Sequence, residues 1–223
     1  MKKRRNPVIV VLKIILRVHL WFWGIIAGLC VLYIFVNPPL TPLMIERYLV
    51  RGYPIHKREY ISLNKIPKRV VSYTLALEDP NYYRHFGFEW EMIKQAYKRN
   101  QKAGKIRFGA STISNQVART LFLTTKRNYL RKYLEVQVTL IMELVLTKNR
   151  MLELYLNYVE WGKGIYGIET ASRYYYHRSV TNLSSGKAKQ MVSVLTNPVK
   201  YSPQSYYKSA SARQRYQILD RYF

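Results

Sequence analysis

The chain has 223 residues, 48% of them hydrophobic and 14% aromatic, with 37 Lys and Arg against 12 Asp and Glu, for a formal charge of +25. Such a field selects anionic partners, either nucleic acid or anionic lipid and phosphate groups. The single cysteine, Cys30, excludes an intramolecular disulfide and a cysteine-built zinc site.

Met1-Lys2-Lys3-Arg4-Arg5 is a basic cluster, and residues 1–17 read as a short basic cytoplasmic segment. The apolar run that follows is strongest from Leu20 to Val36. With Val18 and the upstream VIVVLKIIL it reaches the ~20 residues that cross a bilayer. Residues 18–36 are therefore predicted to be a transmembrane signal anchor. Lys13 and Arg17 break the early part and can snorkel to the cytoplasmic surface, and Trp21 and Trp23 suit the interface. Basic residues before the span put the N-terminus inside. No small-x-small cleavage site follows, so the rest of the chain is expected outside the cytoplasmic membrane. The same segment would also suit a helix lying on the membrane or one buried in a core. Residues 37–65 read as a juxtamembrane link stiffened by Pro38, Pro39, Pro42 and Pro54. Leu40, Leu43, Met44 and Ile45 in it could lie on the bilayer surface.

Pro67 opens a helical pattern over Lys68 to Leu77. Trp90, Ile93 and Tyr97 predict a second helix from Glu89 to Arg99, followed by a basic, mobile loop from Gln101 to Phe108. Ser111 or Thr112 caps the next helix, which runs to about Phe122. Further helices are expected over Tyr129–Leu146, Lys148–Tyr158, Ile168–Tyr176, Leu183–Leu195 and Ala210–Tyr222. Gly162, Gly164 and Gly167 punctuate one loop, and Asn197-Pro198 ends the penultimate helix. With no convincing strand series, the fold class is mainly α.

Four blocks carry chemistry. Glu78-Asp79 closes an apolar helix, where a poorly solvated carboxylate can act as a base; the pair also suits a solvated helix end. His85 and Gly87 follow closely, and His85 is either a hydrogen-bonding support or a proton carrier. Gly109-Ala110-Ser111-Thr112 offers free N–H groups and hydroxyls to anionic oxygens at a helix start, or is simply a well-made cap. Gln116 and Arg119 share the face of that helix, and Arg127 lies just past its end. Arg131 and Lys132 are four and three residues before Glu135, which keeps that carboxylate ionised whether it works in a site or forms an exposed ion-pair cluster. Glu153 and Asn157, four apart on an otherwise core-forming helix, could brace a cleft.

These blocks, in this order from about Ile66 to Tyr201, resemble the glycosyltransferase domain of peptidoglycan polymerases. Glu78-Asp79…His85-Phe86-Gly87-Phe88 is similar to that family's Glu-Asp…His-x-Gly-Phe. Gly109 to Gln116 is similar to Gly-Gly-Ser-Thr-Ile-(Ser/Thr)-Gln-Gln, and Arg131 to Glu135 to Arg-Lys-x-x-Glu. Lys148 to Asn157 and Gly162 to Ala171 complete the set. Ala110 and Asn115 depart from the second block, Tyr82 and Tyr83 stand in place of phenylalanines, and Thr120 and Lys187 are further departures.

The resemblance implies a lysozyme-like helical domain over residues 66–223, preceded by one transmembrane helix. It implies lipid II as substrate, with Glu78 as base and Glu135 as the second glutamate near the donor diphosphate. There a divalent cation, Mg2+ or Mn2+, could assist. Ser111, Thr112, Gln116, Arg119, Arg127, Arg131 and Lys132 fall on substrate- and diphosphate-binding positions. Asp79, His85, Gly87, Gly109, Glu153 and Asn157 fall on supporting ones. Implied partners are the growing glycan strand, the membrane and other cell-wall synthesis and division proteins, and not nucleic acid. Implied localisation is the cytoplasmic (inner) membrane, with the catalytic domain periplasmic. A lysozyme-like glycan-cleaving enzyme and a tethered binder of anionic polymer are the alternative readings.

Overall fold

The computed structural model describes residues 6–105, 109–125 and 128–223. Helix α1 (Pro7–Phe35) is followed by α2 (Pro42–Arg51), α3 (Lys68–Glu78), α4 (Trp90–Lys102) and α5 (Ile113–Phe122). Next come α6 (Tyr129–Val145) and α7 (Lys148–Tyr158), then a hairpin of β1 (Glu160–Gly162) and β2 (Ile165–Tyr166). Helices α8 (Ile168–Tyr176), α9 (Ser185–Ser193) and α10 (Ala210–Tyr222) complete the chain.

Side chains cap most of the helices. Thr112, Asn128, Thr147 and Ser209 accept from the N–H groups of Asn115, Arg131, Arg150 and Ala212, satisfying donors that a helix start would otherwise leave open. The centre of the fold is α7, whose Met151, Leu152, Leu154, Tyr155 and Leu156 are all buried. Helix α5 lies against both α6 and α7, α3 against α9, and α10 closes over α9.

Four differences from expectation have local causes. Helix α1 starts at Pro7, well before residue 18, because Lys13 and Arg17 are good helix formers and do not interrupt it. The supposed link over 37–65 contains α2, started by the Thr41 cap and by Pro42 at the first helical position. Its Leu43 and Met44 are buried in the core against α5, not spread on a bilayer. The penultimate helix, α9, is shorter than Leu183–Leu195 and passes into a 3-10 turn over Val194–Thr196. The short antiparallel hairpin was outside any strand pattern, since its pairing spans only a few residues.

Helix α1 is long and apolar enough to cross a membrane. It packs along α6 rather than standing apart. His19 Nε2 and the Tyr133 hydroxyl share a hydrogen bond of 2.9 Å, and Trp23 Nε1 donates to Gln137 Oε1 at 2.5 Å. Arg150 fastens the end of α1, donating to the carbonyl of Tyr33 at 2.7 Å and to Asn37 Oδ1 at 2.8 Å.

The hairpin also pins the chain after α2. His56 N–H donates to the Gly164 carbonyl at 3.1 Å. Gly164 has φ +73°, and a Cβ there would stand 1.7 Å from the Pro54 carbonyl oxygen. Gly164→Ala is expected to cost at least about 2 kcal/mol, from left-handed backbone strain plus displacement of the Pro54 segment. Denaturant unfolding would read this as a lower midpoint; an unchanged midpoint would contradict the packing.

Candidate active site

The apolar face of α3 delivers Glu78 to the end of the helix beside a pocket of about 270 Å³. Asp79, Glu89, Gly109, Ala110, Ser111, Thr112 and Arg215 also line it. The Glu78 carboxylate is not left bare. Gln116 Nε2 donates to its Oε2 at 3.0 Å, and Arg215 from α10 donates to its Oε1 and, at 3.4 Å, to the Leu77 carbonyl. Gln116 is itself held by the buried Tyr155 hydroxyl at 3.4 Å. Burial, reinforced by the charge of Glu78, pushes the Tyr155 phenol well above its usual pKa, so it stays a donor.

Asp79 has a separate task. Both of its oxygens accept from His85 Nε2 at 3.0 Å, and Oδ2 also accepts from the Ile113 N–H at 2.9 Å. A buried carboxylate at the start of α5 meets the positive end of that helix. It fixes α3 to α5 and hence Glu78 to Gln116. Gly87 (φ +79°) lets the chain pass close to α6, where a Cβ would be 2.8 Å from Thr139 Cγ2. Its carbonyl accepts from Thr112 Oγ1 at 2.7 Å and Asn115 Nδ2 at 3.2 Å. The Asn115 departure is therefore a buried structural bond. The Thr112 hydroxyl is likewise engaged twice, as donor to Gly87 and as cap of α5.

Beyond Gln116 lies a second, larger cleft of about 550 Å³. Arg119 and Arg131 line it with Gln116, Thr120 and Asn197. Arg47 and Arg51 of α2 line it too, and so does Glu160 of β1. Glu135, almost wholly buried, has Arg131 on one oxygen and Lys132 Nζ at 2.6 Å on the other. Lys132 lines neither cavity, and Arg127 lies outside the described residues.

Glu153 and Asn157 do not brace either cleft. Glu153 accepts from the Tyr60 hydroxyl at 2.5 Å and the Leu63 N–H at 2.6 Å, and Asn157 exchanges bonds with the Ile61 backbone at 2.9 and 2.8 Å. Their face of α7 meets the incoming 60–63 segment, which runs into a 3-10 turn at Leu63 and needs partners for its backbone groups. Burial works against the charge of Glu153, yet these bonds and Arg150 hold its carboxyl below the usual range.

The sequence reading missed Arg215, Arg47, Arg51 and Glu160. Arg215 is 137 residues from Glu78, and no spacing rule spans that gap. Arg47 and Arg51 were hidden by treating their segment as a connector, although an i,i+4 arginine pair after a Thr-Pro cap is a readable signal.

The family description "Transglycosylase" matches residues 47–222, most of the chain. The chain belongs to the transglycosylase family. It is 39% identical over 206 residues to the biosynthetic peptidoglycan transglycosylase of Pseudomonas aeruginosa, covering 89% of this chain and 88% of that protein. It is 38% identical to the protein of the same description from Shewanella oneidensis, covering 91% of each. A third, from Haemophilus influenzae, is 40% identical over 83% of this chain and 79% of its own length. The helical architecture is the lysozyme-like one of this family, and the activity is that of a glycosyltransferase polymerising peptidoglycan glycan strands.

For this transglycosylase, the geometry makes Arg215 a positioning residue for Glu78. Arg215→Ala should lower kcat by roughly tenfold or more, because the carboxylate loses one of its two holders. A steady-state polymerisation assay with a parallel thermal melt would check this; wild-type kcat in a folded variant would contradict it.

Proposed function

We propose that the protein polymerises lipid II, with Glu78 as general base and the arginine cleft as the donor diphosphate site. One observation carries this reading. Glu78 lines the smaller pocket, while its hydrogen-bond partner Gln116 lines the larger, arginine-rich one. A base and an oxyanion site are thus one side chain apart, as a displacement on a diphosphate-activated sugar requires.

In this reading the acceptor's GlcNAc lies in the smaller pocket, and its 4-hydroxyl gives its proton to Glu78. The hydroxyl oxygen attacks C1 of the donor MurNAc from the face opposite the leaving group. The C1–O bond to the diphosphate breaks, and undecaprenyl pyrophosphate takes the electron pair. The α-linked donor becomes a β-1,4 linkage. Arg119 and Arg131 stabilise the charge that develops on the leaving oxygens, and Gln116 keeps the base aimed. Glu135 keeps Arg131 in place by its ion pair.

The packing of α1 supports a lipid-linked donor. It lies against α6, the helix that carries Arg131, Lys132 and Glu135, so the diphosphate-binding residues stand beside the apolar span. We take α1 as a single-pass anchor with its N-terminus cytoplasmic and the rest of the chain on the outer side. The donor set does not fit a protein-held Mg2+ or Mn2+. Among the described residues there is no group of three or more metal-ligating side chains, and both Glu135 oxygens are bound to cations.

Glu78→Gln tests the base directly. Purified variant with lipid II in detergent should lose roughly 10²–10⁴-fold in turnover while keeping its fold. Undiminished polymerisation would rule Glu78 out as the base. Wild-type protein that shortens finished glycan but never extends lipid II would establish the hydrolase instead.

A further inference from the structure

Helix α2 does more than lead from the apolar helix to the domain. Glu46 accepts from the Thr125 N–H and from Thr125 Oγ1, each at 2.7 Å. The next residue, Arg47, donates through Nε to Glu160 Oε2 at 3.1 Å. α2 is thereby tied at once to the α5–α6 connection and to β1, two edges of the larger cleft. Arg47 and Arg51 sit one turn apart and both line that cleft.

Glu160 is an odd occupant of an anion site. It is buried, its Oε1 finds no hydrogen-bond partner among the described residues, and burial, opposed by Arg47, raises its pKa. Facing the cleft alone it would repel a diphosphate. Its Oε2 instead engages Arg47 through Nε, which leaves the guanidinium's terminal Nη groups without another hydrogen bond among the described residues. A guanidinium gripped on one edge and open on the other is the arrangement that binds phosphate oxygens in bidentate fashion.

We propose that Arg47 is a diphosphate-binding residue of the donor cleft, presented by α2 and aimed by Glu160, with Arg51 adding charge beside it. This rests on the reading of the cleft as a diphosphate site. It gives the segment between the apolar helix and the domain a direct part in substrate recognition. Because α2 follows α1 after a few residues, the arginine pair is delivered on the side of the domain from which a lipid-linked donor comes.

Removing Arg47 outright would strand a buried carboxylate and could unfold the protein. Arg47→Lys keeps a cation for Glu160 but loses the fork. The probe is inorganic pyrophosphate, titrated calorimetrically into the full chain in detergent, alongside lipid II kinetics and a thermal melt. Arg47→Lys should weaken pyrophosphate binding about tenfold and raise the KM for lipid II similarly, with little change in melting. Arg51→Ala should weaken both by a smaller factor. Glu160→Gln, which frees Arg47 to move, should also weaken pyrophosphate binding. If Arg47→Lys binds pyrophosphate like the wild type, or loses only kcat or melting temperature, the proposal is overturned while the cleft's reading stands. If the wild type neither binds pyrophosphate nor extends lipid II, both fall.

Discussion

A carboxylate at the end of an apolar helix needs partners that neighbouring residues cannot supply, and the rest of this structure is arranged to provide them for Glu78. Gln116 comes from α5 and Arg215 from α10, 38 and 137 residues away. To bring Gln116 into place, α5 must start beside the end of α3, which Asp79 ensures by receiving the first N–H of α5. To bring Arg215, the chain must close α10 over α9, against which α3 also packs. The helical frame can be understood as the means of making these contacts coincide.

The same economy governs charge. With 12 acidic residues against 37 basic ones, carboxylates are scarce, and most are set where a cation needs holding. Glu135 holds Arg131 and Lys132, Glu160 holds Arg47, and Glu143 receives Lys148 Nζ at 2.7 Å and Ser114 Oγ at 2.6 Å. Each is buried or nearly so, where an unpaired charge would be costly. The surplus cations are thus partly fixed in direction. Fixed cations are preorganised for an anion, whereas free surface lysines would have to be ordered on binding.

Much of this was legible in the chain. Helices α5, α7, α8 and α10 lie within a residue of their expected bounds, and each is preceded by a Ser, Thr or Gly. The Glu78 and Glu135 blocks were readable because their residues are local. What escaped was tertiary. Arg215 lies in a polar-looking helix whose one inward cation gives no periodic signal. Glu153 and Asn157 have the spacing of a site but face a backbone segment whose path only the fold fixes. The 37–65 segment was misread because its prolines suggest a stiff link, although one of them, Pro42, starts a helix.

The central claim is that Gln116 and Arg215 act through one carboxylate. A double-mutant cycle on kcat tests it most directly: Gln116→Ala, Arg215→Ala and the pair, measured with lipid II. Residues sharing a partner should be strongly non-additive, with the double variant little worse than the poorer single one. Effects that multiply cleanly would mean that the two residues act independently, and that Glu78 is not the point at which they meet.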